Sequence, residues 1–128
     1  MNVVAAGDVA RWWHPLYEKH LRIEHWDHAE RQGAAAARTL LAGPGHGEAY
    51  DEVPYFWSDQ YDVKLQMFGV PDDYDAFRVI EGDADSWQFV GAYGRDRRTI
   101  AVLSTVPGRA HTYRSAIAKR AAFPPEPS

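Results

Sequence analysis

Residues 22–26, RIEHW, begin the longest helical pattern of the chain, and residues 53–62, VPYFWSDQYD, begin its most aromatic strand pattern. The first stretch places a carboxylate, an imidazole and an indole side by side, at Glu24, His25 and Trp26. A helix start presents free backbone N–H groups and the positive end of the helix dipole. Together with the aromatic wall of the second stretch, these groups favour a flat, electron-accepting ring. A flavin fits, because its reduced form gathers negative charge along one edge.

Working outward from the first stretch, the hydrophobic pattern predicts a helix over residues 21–41. The apolar residues that recur near a spacing of 3.6 are Ile23, Trp26, Ala29, Gly33, Ala36, Ala37, Leu40 and Leu41. Residues 43–47, GPGHG, end this helix and form the clearest boundary in the chain. We therefore expect the apolar stripe to face a packed surface and the charged residues to face solvent.

The chain before the helix is predicted to contain a short strand and an aromatic loop. Residues 3–6 form an apolar run that predicts a buried strand, and the strand ends in a turn at Gly7 and Asp8. A carboxylate there either accepts a hydrogen bond from a ligand hydroxyl or caps the next turn, and the strand alone favours the cap. Residues 12–15 follow as the aromatic loop.

After residue 50 the pattern changes from helical spacing to short strands rich in aromatic and β-branched residues. The predicted strands are residues 55–58, 63–68, 77–80, 87–93 and 100–105. Their short connections favour antiparallel neighbours. Residues 110–122 predict a final helix with Tyr113, Ile117 and Ala121 inward, and residues 124–128 predict a disordered tail. The predicted fold class is α+β: a long helix, a five-stranded mainly antiparallel sheet and a C-terminal helix.

Composition excludes several classes of function. The chain of 128 residues has no cysteine, so disulfides, thiolate nucleophiles and iron–sulfur ligation are absent, and redox chemistry requires a bound cofactor. The net charge of −4 argues against nucleic-acid binding. Because no apolar run approaches the roughly 20 residues of a membrane span, we expect no membrane insertion. Residues 1–8 lack a secretory signal, so we expect a cytoplasmic protein.

The sequence gives little support for a metal site or a hydrolytic site. His25 and His28 are spaced i,i+3 on the predicted helix beside Glu24, but no third ligand is evident, so no metal site is expected. Ser58 lies in an aromatic strand without a nucleophile-elbow pattern. Residues 43–47 lack the lysine and hydroxyl residue of a phosphate loop. No residue is therefore assigned a catalytic role.

Several separated motifs resemble one family across nearly the whole chain. In chain order they are residues 5–10 (AAGDVA), residues 22–26 (RIEHW), Ala29 with Gln32-Gly33 and Ala36-Ala37, and residues 53–62 (VPYFWSDQYD). This set resembles the C-terminal third of the FAD-dependent NAD(P)H:ferredoxin reductases of the putidaredoxin and rubredoxin reductase type, which are more distantly similar to apoptosis-inducing factor. Motifs with compatible spacing are more specific together than any one alone.

The resemblance implies roles for residues on both sides of the predicted helix start. Asp8 would hold the ribityl hydroxyl of FAD, with Val9 close by at the end of the FAD domain. Glu24, His25 and Trp26 would face the flavin from the helix end, Glu24 and His25 lying near the nicotinamide of NAD(P)H. These residues are the expected cofactor-binding positions.

The resemblance also implies a partner surface. Trp57 would border the isoalloxazine where a ferredoxin-type iron–sulfur protein docks, although an aromatic residue of this kind also suits a hydrophobic core. Arg95, Arg97 and Arg98 form a local basic cluster that either steers an acidic ferredoxin or is simply a solvated turn.

By the same resemblance, residues 1–48 would be the C-terminal remnant of an FAD-binding domain and residues 49–123 a reductase C-terminal α+β domain. In such reductases the glycine-rich FAD fingerprint and the NAD(P)H domain lie upstream of these motifs. We therefore expect a fragment, a truncated product or a domain with a new role, which does not turn over NAD(P)H alone. The alternative is a non-catalytic interaction module. In either case, a homodimer or a complementing reductase chain is expected to cover the apolar helix stripe.

Overall fold

A computed structural model describes residues 2–127 of the chain. It comprises two compact units, Met1–Glu52 and Val53–Ser128. Ser128, the last residue of the predicted tail, lies outside the described residues, as does Met1. The assignment of residues 1–48, 49–123 and 124–128 to a domain remnant, a reductase domain and a disordered tail stays a prediction.

The first unit consists of a hairpin, a 3-10 turn and a long helix. The turn spans Gly7–Val9, strand β1 spans Trp12–His14, strand β2 spans Lys19–Leu21 and helix α1 spans Trp26–Ala42. β1 and β2 pair antiparallel, with Trp12 opposite Leu21 and His14 opposite Lys19. The buried residues among the described part of this unit are Gly7, Ala10, His14, Leu16, Tyr17, Leu21, Ile23, His28 and Gln32.

Three predictions for this unit are corrected by the structure. The helix begins at Trp26 and not at residue 21, because residues 19–21 pair with β1 as a strand. Consequently, residues 12–14 of the predicted aromatic loop are also strand. Residues 3–6 do not form a strand: they have no partner in a ladder within the described chain, and Val3 is 76% exposed. A strand is stable only where its backbone groups find partners.

The apolar stripe of α1 is largely not buried within the described chain, so its expected cover by a second copy or a complementing chain stays a prediction. The buried residues of the helix are polar, namely His28 and Gln32, whereas Trp26 is 70% and Leu41 88% exposed. Polar side chains can be buried where hydrogen bonds and ring contacts compensate for lost hydration. The packed face of this helix is thus chosen by such partners and not by hydrophobic spacing.

The second unit contains the five-stranded antiparallel sheet that the sequence predicts. Its strands are β3 (Tyr55–Gln60), β4 (Val63–Gly69), β5 (Ala76–Asp83), β6 (Gln88–Arg95) and β7 (Arg98–Ser104). The order across the sheet is β3-β4-β7-β6-β5. Aromatic and β-branched residues favour these strands, and connections of a few residues join neighbours in antiparallel pairs.

A C-terminal helical segment packs on this sheet, but it is shorter than predicted. A 3-10 turn at Ala110–Tyr113 leads into helix α2, Arg114–Ala118, and both Tyr113 and Ile117 are buried as expected. The helix ends before residue 122 because the chain there pairs with the start of β7: Thr99 N–H donates to the carbonyl of Ala121 at 2.8 Å. Neither helix within residues 2–127 is long and apolar enough to cross a bilayer.

Candidate functional site

The 3-10 turn presents two of the predicted cofactor-binding residues at the surface. Gly7 has a φ of 81°, and its carbonyl accepts the Ala10 N–H at 3.0 Å, which closes the turn. A positive φ of this size is the left-handed region that glycine adopts without strain. Asp8 is exposed and Val9 is 79% exposed. The chain therefore places an accessible carboxylate on a fixed backbone turn.

The start of α1 carries the other three predicted residues of this unit. His25 is the N-cap residue, with extended φ and ψ of −111° and 143°, and no side chain caps the helix through a hydrogen bond. Trp26 is the first helical residue. Glu24 precedes the cap and forms a surface ion pair with Arg22 at 2.8 Å. A helix start of this kind presents backbone N–H groups and the positive end of the helix dipole.

Electrostatics connect the turn with the helix start. Burial lowers the pKa of His25, while the negative charges of Asp8 and Asp27 act in the opposite direction. Asp27 is also held by Arg31, whose Nε donates to Asp27 Oδ2 at 2.9 Å. The structure thus brings Asp8 and His25 within electrostatic reach of each other.

Behind this surface lies a buried row of polar and aromatic side chains that sequence reasoning missed. His28 is 3% exposed, and its ring stacks on Trp12 with centroids 4.7 Å apart. Within the described residues, His28 Nε2 has no hydrogen-bond partner, and burial is the main cause that lowers the His28 pKa. The i,i+4 spacing of His28 and Gln32 was the available signal. Across residues 2–127, no group of three or more metal-ligating side chains is arranged to hold an ion.

Two ring N–H groups from β1 hold the end of the first unit. His14 is fully buried; its Nδ1 accepts the Leu16 N–H at 3.2 Å, so its Nε2 carries the hydrogen and donates to the Glu52 carbonyl at 2.8 Å. Trp12 Nε1 donates to the Tyr50 carbonyl at 3.0 Å. The hairpin therefore fixes two backbone carbonyls of the segment that follows α1, those of Tyr50 and Glu52.

Trp57, the sixth predicted site residue, belongs to the second unit. It lies on β3, an edge strand, is half-buried, and stacks on Tyr55 with ring centroids 5.7 Å apart. Because side chains alternate along a strand, Phe56 points to the other face, where it is 43% exposed. The predicted aromatic wall is thus divided between two faces of the sheet.

The arginine cluster occupies the β6–β7 turn. Arg95 and Arg98 are partners across the hairpin, and Arg97 adopts a φ of 64° in the turn between them. Arg95 Nη1 lies 4.0 Å from Asp73 Oδ2. This turn lies at the end of the sheet where β3 begins, because Tyr55 pairs with Phe68 and Gly69 pairs with Ala101 near the start of β7.

The chemistry of the first unit's surface fits a flavin edge. An uncapped helix start supplies N–H donors and a positive dipole for developing negative charge. The exposed indole of Trp26 offers a flat apolar face, and Asp8 offers an acceptor for a hydroxyl. These are the donor, stacking and acceptor groups that a flavin with a ribityl chain requires.

Comparisons with known proteins agree with one family. The family model described as "Reductase C-terminal" matches residues 55–127. The ferredoxin–NAD(+) reductase component of an anthranilate 1,2-dioxygenase system from Burkholderia cepacia is 42% identical over 110 residues, 84% of this chain and 26% of that protein. Putidaredoxin reductase of Pseudomonas putida is 34% identical over 100 residues, 78% of this chain and 23% of that protein.

Solved structures give the same result. In the covalent putidaredoxin reductase–putidaredoxin complex, a chain matches with a TM-score of 0.78 and 30% identity, covering 90% of this chain and 27% of that one. The structure of Fdr9 matches with a TM-score of 0.78 and 34% identity, covering 94% of this chain and 31% of that one. The chain spans about a quarter of the length of the curated relatives that it matches. Because the family model covers more than half of its residues, the chain belongs to the reductase C-terminal family, and the relatives described above are ferredoxin reductases.

Proposed function

We propose that the chain is the C-terminal part of a cytoplasmic, FAD-dependent NAD(P)H:ferredoxin oxidoreductase. Bound FAD supplies the chemistry that this chain lacks, because it accepts a hydride and delivers single electrons. The chain's own task is to bind the flavin, orient it and form the surface toward an iron–sulfur protein. Relatives that are ferredoxin reductases, including a putidaredoxin reductase in complex with putidaredoxin, support the proposal.

The observation that carries the proposal is the start of α1, with its positive dipole end, beside the exposed Asp8. In our proposal, Asp8 accepts a hydrogen bond from the ribityl chain, and Val9 packs next to it. The N–H groups after His25 face the electron-rich edge of the ring, with Trp26 beside it and Glu24 toward the nicotinamide. A charge-assisted hydrogen bond and a helix dipole both favour the charged form of their partner.

We further propose that the 128-residue chain alone does not turn over NAD(P)H. It spans about a quarter of its relatives, and none of its motifs binds a dinucleotide. Trp57 is proposed to border the flavin on the side of the iron–sulfur partner. For the isolated chain, we propose that a second copy covers the exposed apolar residues of α1; within a reductase, a complementing chain would do so.

The test is an FAD titration of the chain, followed by flavin fluorescence. We expect quenching with micromolar affinity, and we expect Asp8→Ala to weaken it about ten-fold, because a hydrogen bond to a charged group contributes on the order of 1.5–3 kcal/mol. Glu30→Ala is the matched control, since it removes an equally exposed carboxylate from α1. Absence of binding at high FAD concentration would leave the non-catalytic interaction module as the function.

A further inference from the structure

The backbone N–H of Gly7 is satisfied by a side chain that lies far along the sequence. Gly7 is buried, and its N–H donates to Gln32 Oε1 at 2.9 Å, across 25 positions. The preceding residues form no strand that could supply a backbone acceptor. A buried N–H without an acceptor is costly, so this single bond decides whether the turn keeps its conformation.

Gln32 is well suited to hold the turn. It is 5% exposed, although it lies in the middle of α1. Its side chain also acts against the lowering of the His28 pKa by burial, one helical turn earlier. A second contact comes from Ala29, because a Cβ built on Gly7 would lie 3.6 Å from Ala29 Cβ. Two residues about one turn apart on α1 therefore lie next to the same glycine, and one of them, Gln32, binds its N–H.

Asp8 is the residue directly after this glycine, so its position follows from the orientation of the turn. Gly7 is attached to α1 at Ala29 and Gln32, and the carboxylate of Asp8 acts on His25 at the helix start. The bond to Gln32 thus links the middle of the helix to the surface at its N-terminal end. Gln32 itself is buried and does not reach that surface.

We propose that Gln32 is a positioning residue that sets the location of Asp8 over the start of α1 by holding the Gly7 N–H. Its consequence for FAD affinity rests on the function proposed above. Its consequence for the turn does not rest on that function. The Gly7–Gln32 hydrogen bond and the electrostatic interaction between Asp8 and His25 both exist within the chain itself. The two consequences are measured separately.

The first measurement uses NMR of the full chain without ligand. In Gln32→Met, which removes the acceptor while keeping similar volume, we expect exchange of the Gly7 amide to accelerate by about ten-fold or more. We also expect the pKa of His25 to shift in the same direction as in an Asp8→Asn variant measured alongside. Unchanged Gly7 exchange and an unchanged His25 titration in Gln32→Met would overturn the proposal, whether or not the chain binds FAD.

The second measurement is a double-mutant cycle in FAD affinity. Gln32→Met should weaken binding by about ten-fold when Asp8 is present and cause no further loss in Asp8→Ala, because its effect passes through Asp8. Equal losses in both backgrounds would mean that Gln32 only stabilises the fold, which overturns the positioning role. If the unmodified chain binds no FAD, the proposed function fails, while the NMR experiment still decides the role of Gln32.

A third variant addresses the case in which Gln32→Met does not fold. Gln32→Glu keeps an acceptor oxygen at the same distance along the side chain, so it should retain slow Gly7 exchange and the coupling between Asp8 and His25. A folded Gln32→Glu protein in which that coupling is lost contradicts the proposal.

Discussion

The buried histidine of the hairpin shows how single side chains organise the first unit. His14 accepts from Leu16 through Nδ1 and donates to Glu52 through Nε2, so both ring nitrogens have partners only in the neutral form. Protonation would place a hydrogen on Nδ1, where a backbone N–H already points. Burial also lowers the pKa of His14, with the Glu52 carbonyl and the charge of Asp51 acting against this effect. The neutral ring is therefore part of the folded structure.

Acid should destabilise the first unit before it affects the sheet. Burial lowers the pKa of His14, His25 and His28 below the value of 6.5 in the unfolded chain. Their contribution is fully present above pH 6.5 and is lost as pH falls from there toward the folded pKa, by at most about 1.4 kcal/mol per pH unit for each group. Hydrogen exchange of α1 amides at pH 7.5 and pH 5.5 measures this loss.

The control for this prediction is His14→Gln. Its amide can still donate to the Glu52 carbonyl, but it does not titrate, so the pH dependence of α1 exchange should become shallower. If the free energy of opening of α1 is the same at both pH values in the unmodified chain, the prediction is wrong.

At the scale of elements, the sheet and helix α1 differ in whether their apolar residues are buried or exposed. The sheet of the second unit buries residues such as Val90, Ile100 and Val102 completely. The helix of the first unit instead buries polar residues and exposes Trp26 and Leu41. Large apolar side chains that are exposed on one helix make it a candidate interaction site.

Self-association through α1 should therefore be measurable in the isolated chain. We expect sedimentation velocity to show a homodimer that dissociates on dilution. Leu41→Glu should shift it to monomer, because a charge at a residue that is 88% exposed cannot be buried in an apolar interface without cost. Tyr61→Glu, at a fully exposed position on the β3–β4 turn, is the matched control. A compact monomer that is insensitive to dilution would exclude the dimer.

At the scale of the whole molecule, the function proposed above concerns electron transfer. Hydride reaches a flavin over its ring face, whereas a single electron leaves for a protein partner across the shortest gap at an exposed edge. In a reductase that contains this chain with its nucleotide domains, the role proposed for Trp57 therefore concerns the second step. Its half-buried position on an edge strand leaves part of the indole accessible.

Stopped-flow kinetics of such a reductase separate the two steps. Trp57→Ala should slow electron transfer to ferredoxin by about ten-fold while changing flavin reduction by NAD(P)H by less than about two-fold, since loss of one contact of 1–2 kcal/mol has this size. Phe56→Ala, the neighbour on the other face of β3, should leave both rates nearly unchanged. Equal slowing of both steps in Trp57→Ala would contradict the partner-side role.

The sheet was predictable because the residues of each strand have a strong local preference for β structure. Aromatic and β-branched residues between short turns predicted each strand from β3 to β7 and their antiparallel pairing, which the structure confirms. The end of α1 at Gly43 was also readable from the local pattern. These features depend on residues close together in the chain.

The features that failed depend on partners far away in the chain. Three-residue strands β1 and β2 exist through pairing with each other, and residues 3–6 are not a strand because they lack such a partner. The buried side of α1 is set by Trp12 against His28 and by Gly7 against Gln32, and hydrophobic spacing contains no information about either contact. Local propensity chooses where a helix or strand forms, but the face that it buries is decided by which distant groups satisfy its polar atoms.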